Sequence, residues 1–119
     1  MDRPMLTFDR RFQVWLYTVS HGQLLLRSVK DSSHHTQVDV LFKNVAAMSL
    51  PTQFQGLLVI DSGADSRAAL TLGLGELGKE GRKLFRLSGD GWEGGVIAGI
   101  VVSSEGDADY YDESRLIAR

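Results

Sequence analysis

The sequence lacks cysteine altogether, with none among its 119 residues. Without thiols the chain has no disulfide framework, no cysteine nucleophile and no thiolate metal site. Long apolar runs are also missing. No stretch approaches the ~20 residues that cross a bilayer, and the opening MDRPMLTFDRR lacks the apolar segment of a signal peptide. We therefore expect a cytoplasmic protein that makes no contact with membranes.

The sequence also lacks a large excess of one charge. Its 13 basic and 15 acidic residues give a formal net charge of −2, so the chain has no general attraction for phosphates. Basic residues are adjacent only at Arg10-Arg11 and at Arg82-Lys83, and neither pair lies in the aromatic-interleaved pattern of a single-strand binder. We expect no nucleic-acid binding.

The sequence does contain the pattern of a β-rich globular domain, with 43% hydrophobic and 24% charged residues. Short apolar or alternating runs recur at QVDVLFKNV, LLVI, RKLFRLSG and VIAGIVVSS. The amphipathic crossover helices of a parallel α/β fold are not found. We predict a single domain over residues 1–119 that is mainly β, with six or seven short strands and little helix. The strands form an antiparallel sandwich, roll or open barrel, and an α+β fold is the alternative.

Residues 11–30, RFQVWLYTVSHGQLLLRSVK, predict a β-hairpin, because two runs rich in β-forming residues flank SHGQ. If His21 and Gly22 form a two-residue loop with positive φ, Tyr17 faces Leu26 across the hairpin. Both faces of the hairpin are then apolar and both require cover. Burial within the chain is the favoured interpretation, and a homodimer interface is the alternative.

Residues 62–81 leave two interpretations open. The stretch ADSRAALTLGLGELG either begins a helix capped at Asp65 or forms a strand that alternates Leu70, Leu72 and Leu74. Its glycines count against a long helix, at about 1 kcal/mol each relative to alanine. We favour a strand that follows a short helical turn.

The stretch GLLVIDSGAD runs an apolar strand into Asp-Ser-Gly, and it resembles the motif of the retroviral-type aspartic proteases. That resemblance implies a homodimeric enzyme in which Asp61 is the catalyst, Ser62 its supporting hydroxyl and Gly63 the tight turn. After Val102, however, the chain has none of the apolar-apolar-Gly sequence that this family places beneath its catalytic aspartate. We therefore interpret Asp61 as a residue that ends a strand, and we predict no catalytic residues.

Adjacent histidines are the alternative candidates for a metal site. His34 and His35 would point to opposite faces if the backbone were extended, and zinc without cysteine would need three imidazoles or additional carboxylates. We interpret DSSHHT as a polar connection, and we predict neither a metal nor another cofactor.

The predicted binding residues are an aromatic anchor and an acidic run. GDGWEGG surrounds a tryptophan with glycines and acids, and tryptophan is enriched at interface hot spots, although folding back onto its own core is the favoured interpretation. EGDADYYDE places carboxylates around two tyrosines, which suits a basic partner. These residues are Trp92, Asp107, Asp109, Tyr110, Tyr111 and Asp112.

VWLYTVSHGQLLLRS and VDVLFKNVAAMSLP resemble segments of small uncharacterised bacterial β-rich proteins, some of them similar to immunity proteins of polymorphic-toxin systems. The resemblance covers about half of the chain and consists mostly of strand residues, which carry fold more than function. It implies a non-enzymatic module that binds another protein, with a basic toxin domain as the expected partner, or that self-associates.

Overall fold

A computed structural model describes residues 3–75, 77 and 81–107, with only the backbone described for Arg3. Over these residues the chain forms one open eight-stranded antiparallel sheet, in the order β4-β7-β6-β5-β1-β2-β3-β8, and a single short helix. The mainly β antiparallel prediction is confirmed, with one or two strands more than expected. The elements are β1 (Arg3–Thr18), β2 (Gln23–Ser28), β3 (Gln37–Lys43), β4 (Ala47–Ser49), β5 (Gln53–Asp61), α1 (Ser66–Thr71), β6 (Lys83–Gly89), β7 (Trp92–Ala98) and β8 (Ile100–Gly106).

β1 is the central strand, and it pairs with β5 along its first part and with β2 along its last. It begins at Arg3, whereas the predicted strand began at residue 11. The predicted hairpin is present, but its register is wrong: Tyr17 faces Leu24 rather than Leu26. The reason is the loop, which holds four residues, 19–22, instead of two. Within it Gly22 has the expected positive φ of 58°, and His21 does not.

A bulge at Trp15, between Val14 and Leu16, then shifts the pairing by one residue. Because successive side chains point to opposite faces, the extra residue places Val14 on the same face as Leu26, whereas Leu16 lies on the other face with Leu25. The end of the hairpin near its loop is more exposed to solvent than predicted, since the exposed fraction is 82% for Val19 and 41% for Tyr17.

One face of the sheet, called the inner face, carries the main hydrophobic core. Aromatic rings meet there, both between paired strands and between strands distant in the sheet. The centroids of Phe12 in β1 and Phe54 in β5 lie 6.1 Å apart, and those of Phe42 in β3 and Phe85 in β6 lie 5.7 Å apart. The sheet must curl for β3 and β6 to meet, since three strands separate them in its order. The buried members are Phe12, Leu24, Leu26, Val38, Val40, Phe42, Val45, Phe54, Leu57, Val59, Phe85, Leu87, Val96, Ala98 and Val101.

The opposite, outer face is also covered over two regions. On β2 and β3, Leu25 and Leu41 are fully buried, which confirms that the strand following the hairpin turn is buried on both sides. On β6 and β7, a second cluster joins Leu84 and Ile97 to Ala69 of the helix. This sheet therefore differs from the common antiparallel sheet, in which one face packs on the core and the other faces solvent.

The helix resolves the two interpretations of residues 62–81. α1 begins after Asp65, whose Oδ1 accepts a hydrogen bond from the amide of Ala68 at 2.9 Å, so the predicted cap is present. The predicted strand through Leu70, Leu72 and Leu74 is not formed. Leu72 and Leu74 instead reach the outer cluster, because Gly95 in β7 has no side chain to displace them: a Cβ there would lie 3.0–3.1 Å from their methyl groups.

The two ends of the sheet are connected by the chain itself. β3 continues into β4 through residues 44–46, and β7 continues into β8 through Gly99. The amide of Gly99 donates to the carbonyl of Lys43, and that of Ala46 donates to the carbonyl of Ile97. VIAGIVVSS was predicted as one strand, but the bend at Gly99 divides it, because the chain there leaves the pairing with β4 and β6 and pairs with β3.

None of the helices in the described part of the chain is long and apolar enough to span a membrane.

Candidate functional site

A groove between α1 and the outer face of the sheet has a volume of about 280 Å³. A smaller cavity of about 90 Å³ continues it along β6 and β7. The two share Leu72, Arg86 and Glu93 in their walls. The groove is lined by Asp65, Arg67, Ala68, Thr71, Leu72, Arg86 and Glu93.

Local sequence sets the helical wall of this groove, and the register of β6 and β7 sets the other. The cap at Asp65 starts the helix, and the leucines after α1 hold it against Gly95. On the sheet side, Arg86 pairs with Gly95 and Glu93 pairs with Ser88, so the two charged side chains lie on the outer face beside the helix. A small residue in β7 thus makes room for the helix that forms the other wall.

The groove combines an apolar floor with both signs of charge. Ala68 and Leu72 supply the apolar surface. Within the described residues, the side chains of Arg67 and Glu93 make no ion pair or hydrogen bond, whereas Arg86 is engaged. An open groove with a few polar groups above an apolar floor is the usual form of a ligand or peptide site.

Asp61 lies at the end of β5 in a local network that ends the strand. Its Oδ2 accepts a hydrogen bond from Lys83 Nζ at 2.6 Å, and its Oδ1 accepts one from the Gly63 amide at 2.8 Å. The turn is completed by Ser62, whose amide donates to the carbonyl of Leu84, and by Gly63 with φ of 59°. The hydroxyl of Ser62 is buried and has no hydrogen-bond partner among the described residues, so it does not support the carboxylate of Asp61.

The electrostatics of Asp61 follow from the same contacts. Partial burial acts to raise its pKa, but the hydrogen bond from Lys83, the Gly63 amide and the Lys83 charge outweigh burial and hold the pKa below the ordinary 3.8. A carboxyl that shares a proton in a catalytic dyad needs the opposite shift in one partner. The contacts of Asp61 are those of a strand terminator.

The histidines lie in the connection between β2 and β3. His34 Nδ1 is 3.1 Å from Asp31 Oδ1, while His35 is exposed. Asp31 also accepts hydrogen bonds from the amides of Ser33 and His34. The Ser33 amide is the main cause that lowers the pKa of Asp31. Among the residues that the structure describes, no three His, Asp or Glu side chains are grouped to hold a metal.

Trp92 packs onto the core, as the favoured interpretation predicted. Its ring centroid lies 4.5 Å from that of Phe54, at the edge of the inner-face cluster. Close approach is possible because Gly89 faces it: a Cβ at Gly89 would lie 2.3 Å from both the Trp92 Nε1 and the carbonyl oxygen of Gly56. The indole N–H is buried, and no residue of the described ranges accepts a hydrogen bond from it.

Of the predicted acidic run, the structure describes only its beginning. Asp107 is exposed, and its carbonyl accepts a hydrogen bond from Lys30 Nζ. Glu105 accepts one from the Thr36 hydroxyl. Four of the predicted binding residues lie outside the described residues: Asp109, Tyr110, Tyr111 and Asp112.

Two buried arginines were missed by the sequence analysis. Arg10, on the inner face, donates through Nε to the Ser28 hydroxyl at 2.6 Å and through an Nη to the carbonyl of Thr36 at 2.6 Å. Arg27, on the outer face and 1% exposed, makes a bidentate pair with Asp39 at 2.8 and 3.1 Å and lies 4.8 Å from the Trp15 ring centroid. Both are satisfied internally and act as structural links between strands.

The groove residues Arg67, Arg86 and Glu93 were also missed. A sequence signal existed for one wall only, the helix cap at Asp65. The other wall depends on which residues of β6 and β7 share a face with the helix.

Comparison of the chain with protein-family models, with curated proteins and with solved structures found no match.

Proposed function

We propose that the chain is a non-enzymatic binding module that engages a partner protein through the groove between α1 and the outer face of β6 and β7. The observation that carries this proposal is the presence around an apolar floor of two opposite charges, Arg67 and Glu93, that are unpaired within the described part of the chain. Charges left unpaired in a groove cost little in water and become specific contacts when a complementary partner covers them.

The geometry of Asp61 supports a non-enzymatic role. The carboxylate that most resembled a catalyst is held by Lys83 and the Gly63 amide. A carboxylate paired in this way is a weak base, since its pKa is lowered. Incubating peptides at acidic pH with the wild type and with Asp61→Asn tests this: we expect no cleavage by either, and cleavage lost in the variant would contradict a non-enzymatic role.

The class of partner follows from the sequence resemblance, which suggests an immunity-type protein bound to a basic toxin domain. The product of a neighbouring toxin-like gene is therefore the first partner to test by calorimetric titration. We expect Arg67→Glu combined with Glu93→Lys to weaken binding at least tenfold, because both charges in the groove are reversed.

A matched control separates this groove from the acidic run. Asp107→Asn neutralises an exposed carboxylate away from the groove, and we expect it to leave the affinity unchanged within a factor of two. Binding that depends on Asp107 and is indifferent to the double charge reversal would rule out the groove as the contact surface.

A further inference from the structure

The two ends of the sheet are protected very differently. β4, at one end, has only three residues, and Pro51 follows it closely. β8, at the other end, has seven residues, IVVSSEG, without lysine, arginine or proline. Within residues 3–75, 77 and 81–107, β8 pairs on one side with β3 and has no strand on its other side. Natural edge strands are usually kept short or carry lysine, proline or a bulge.

The composition of β8 favours pairing at this open edge. It begins with three β-branched residues, and its pairing with β3 is regular over the whole strand, from Ile100 to Gly106. Ile100 is 51% exposed, and Ser103 at the centre of the strand is exposed. A regular, β-branched edge offers backbone donors and acceptors to another strand.

We propose that β8 of one copy pairs antiparallel with β8 of a second copy, with Ser103 facing its own symmetry mate. A two-fold axis perpendicular to the sheet keeps each side chain on its face, so one residue of the strand must oppose itself. Full overlap of the seven residues places Ser103 on that axis. This proposal rests on the sheet edge and is independent of the groove proposed above for a partner protein.

The charges of β8 fit this register. Glu105 is the only charged residue of the strand, and with Ser103 on the axis it faces Val101 of the other copy. Like charges directly opposite each other would destabilise a sheet. This register avoids such a pair. Because a second copy carries the same strand, the two paired strands are equal in length, and the outward-facing N–H and C=O groups of one strand match those of the other.

The contact would be small, because one strand pair buries less than the standard interface of roughly 1,600 Å². We therefore expect weak, reversible association, in which the average mass of the wild type rises with concentration toward twice the mass of one chain. Analytical ultracentrifugation between about 1 μM and 1 mM covers the affinity range of such contacts. A constant single-chain mass over this range would overturn the proposal.

The absence of cysteine permits a direct test of the register. In Ser103→Cys the only thiols are the two that would face each other, and opposed strand residues lie within disulfide reach, with Cα atoms about 4.5–5.5 Å apart. We expect a disulfide-linked dimer to form at least tenfold faster in Ser103→Cys than in Ser49→Cys, on the other edge, or Ser33→Cys, in an exposed loop. Equal rates at all three positions would overturn the proposal.

A charge variant provides the second measurement. Ser103→Lys places two ammonium groups across the axis while leaving an exposed position of the monomer otherwise unchanged. We expect the concentration-dependent rise in mass to be lost, with the far-ultraviolet circular dichroism spectrum and thermal unfolding midpoint unchanged, and Ser49→Lys to associate like the wild type. Association that persists in folded Ser103→Lys would place the interface elsewhere and overturn the proposal.

Discussion

The ion pair between Asp61 and Lys83 ties the end of β5 to the start of β6. Both side chains are partly exposed, at 25% and 38%, so the pair is screened and its contribution is small. It is still the feature that turns a protease-like motif into a structural corner, because the carboxylate has a cation on one oxygen and a backbone amide on the other.

We expect Asp61→Asn to lower the free energy of unfolding by about 0.5 kcal/mol at pH 7, since the charge is lost while the amide contact with Gly63 can be kept. The pKa of Asp61 is lowered in the folded state, so its stabilisation is present above the unfolded pKa and disappears as pH falls through the folded one. Urea unfolding should show a constant difference from pH 7 down to about pH 5. The difference should then shrink progressively as the pH falls through the ordinary 3.8 and the lower folded pKa. A difference that grows on acidification would contradict this assignment.

The pair between Arg27 and Asp39 differs because it is buried. Removing one partner of a buried pair leaves an uncompensated charge, at a cost of about 3–5 kcal/mol, whereas replacing both with apolar residues is often tolerated. We expect Asp39→Leu to be strongly destabilising in chemical denaturation and Arg27→Met combined with Asp39→Leu to be less so. If the double variant lost the sum of the two single effects, the side chains would not be acting as a pair.

Among the connections between elements, the β6–β7 turn depends on glycine for two separate reasons. Gly89 has no room for a side chain, because a Cβ would meet the carbonyl of Gly56 at 2.3 Å, whereas Gly91 has open space and a positive φ of 73°. The first constraint is a steric clash with backbone, and the second is a conformational preference that asparagine also satisfies.

We expect Gly89→Ala to destabilise the protein by about 3 kcal/mol, since overpacking against backbone forces the strands apart. Gly91→Asn is the matched control in the same turn, and it should cost less than about 1 kcal/mol. Thermal unfolding followed by tryptophan fluorescence measures both. Equal midpoints for the two variants would show that the space at Gly89 does not limit the packing of Trp92 on Phe54.

At the scale of the whole fold, one continuous sheet connects all eight strands of the described residues. Its pairings join segments far apart in the chain, such as β1 with β5 and β3 with β8. Sheets of this kind pay the entropy of closing long loops before their contacts form, so they fold slowly, typically in milliseconds to seconds.

We therefore expect a single cooperative unfolding transition and refolding with a time constant in that range. Stopped-flow fluorescence reports on two separate regions, because Trp15 lies on the outer face near Arg27 and Trp92 lies against Phe54. Separate transitions for variants that retain only one tryptophan would show that the two regions unfold independently.

The fold class, most strand positions and the cap at Asp65 could be predicted from local sequence. Alternation of apolar residues identified β3, and the β-branched run predicted extended chain, as a single strand, where the end of β7 and the start of β8 lie. Asp65 before a helical stretch indicated the start of α1 in one of the two interpretations. Each of these signals acts over a few neighbouring residues, so the chain carries it without reference to the rest of the fold.

The remaining features depended on contacts between distant segments. The first part of β1 was not recognised because Arg10 interrupts its apolar row. The burial of Arg10 depends on acceptors from distant segments, such as the Ser28 hydroxyl and the Thr36 carbonyl. The register of the hairpin followed from its four-residue loop. A distant residue contacts this loop, since the amide of Val45 donates to the carbonyl of Gly22. The groove arose from the meeting of α1 with Gly95. Local patterns select the elements. The energy of a strand register, a buried charge or a cavity depends instead on the atoms that packing brings together from elsewhere in the chain.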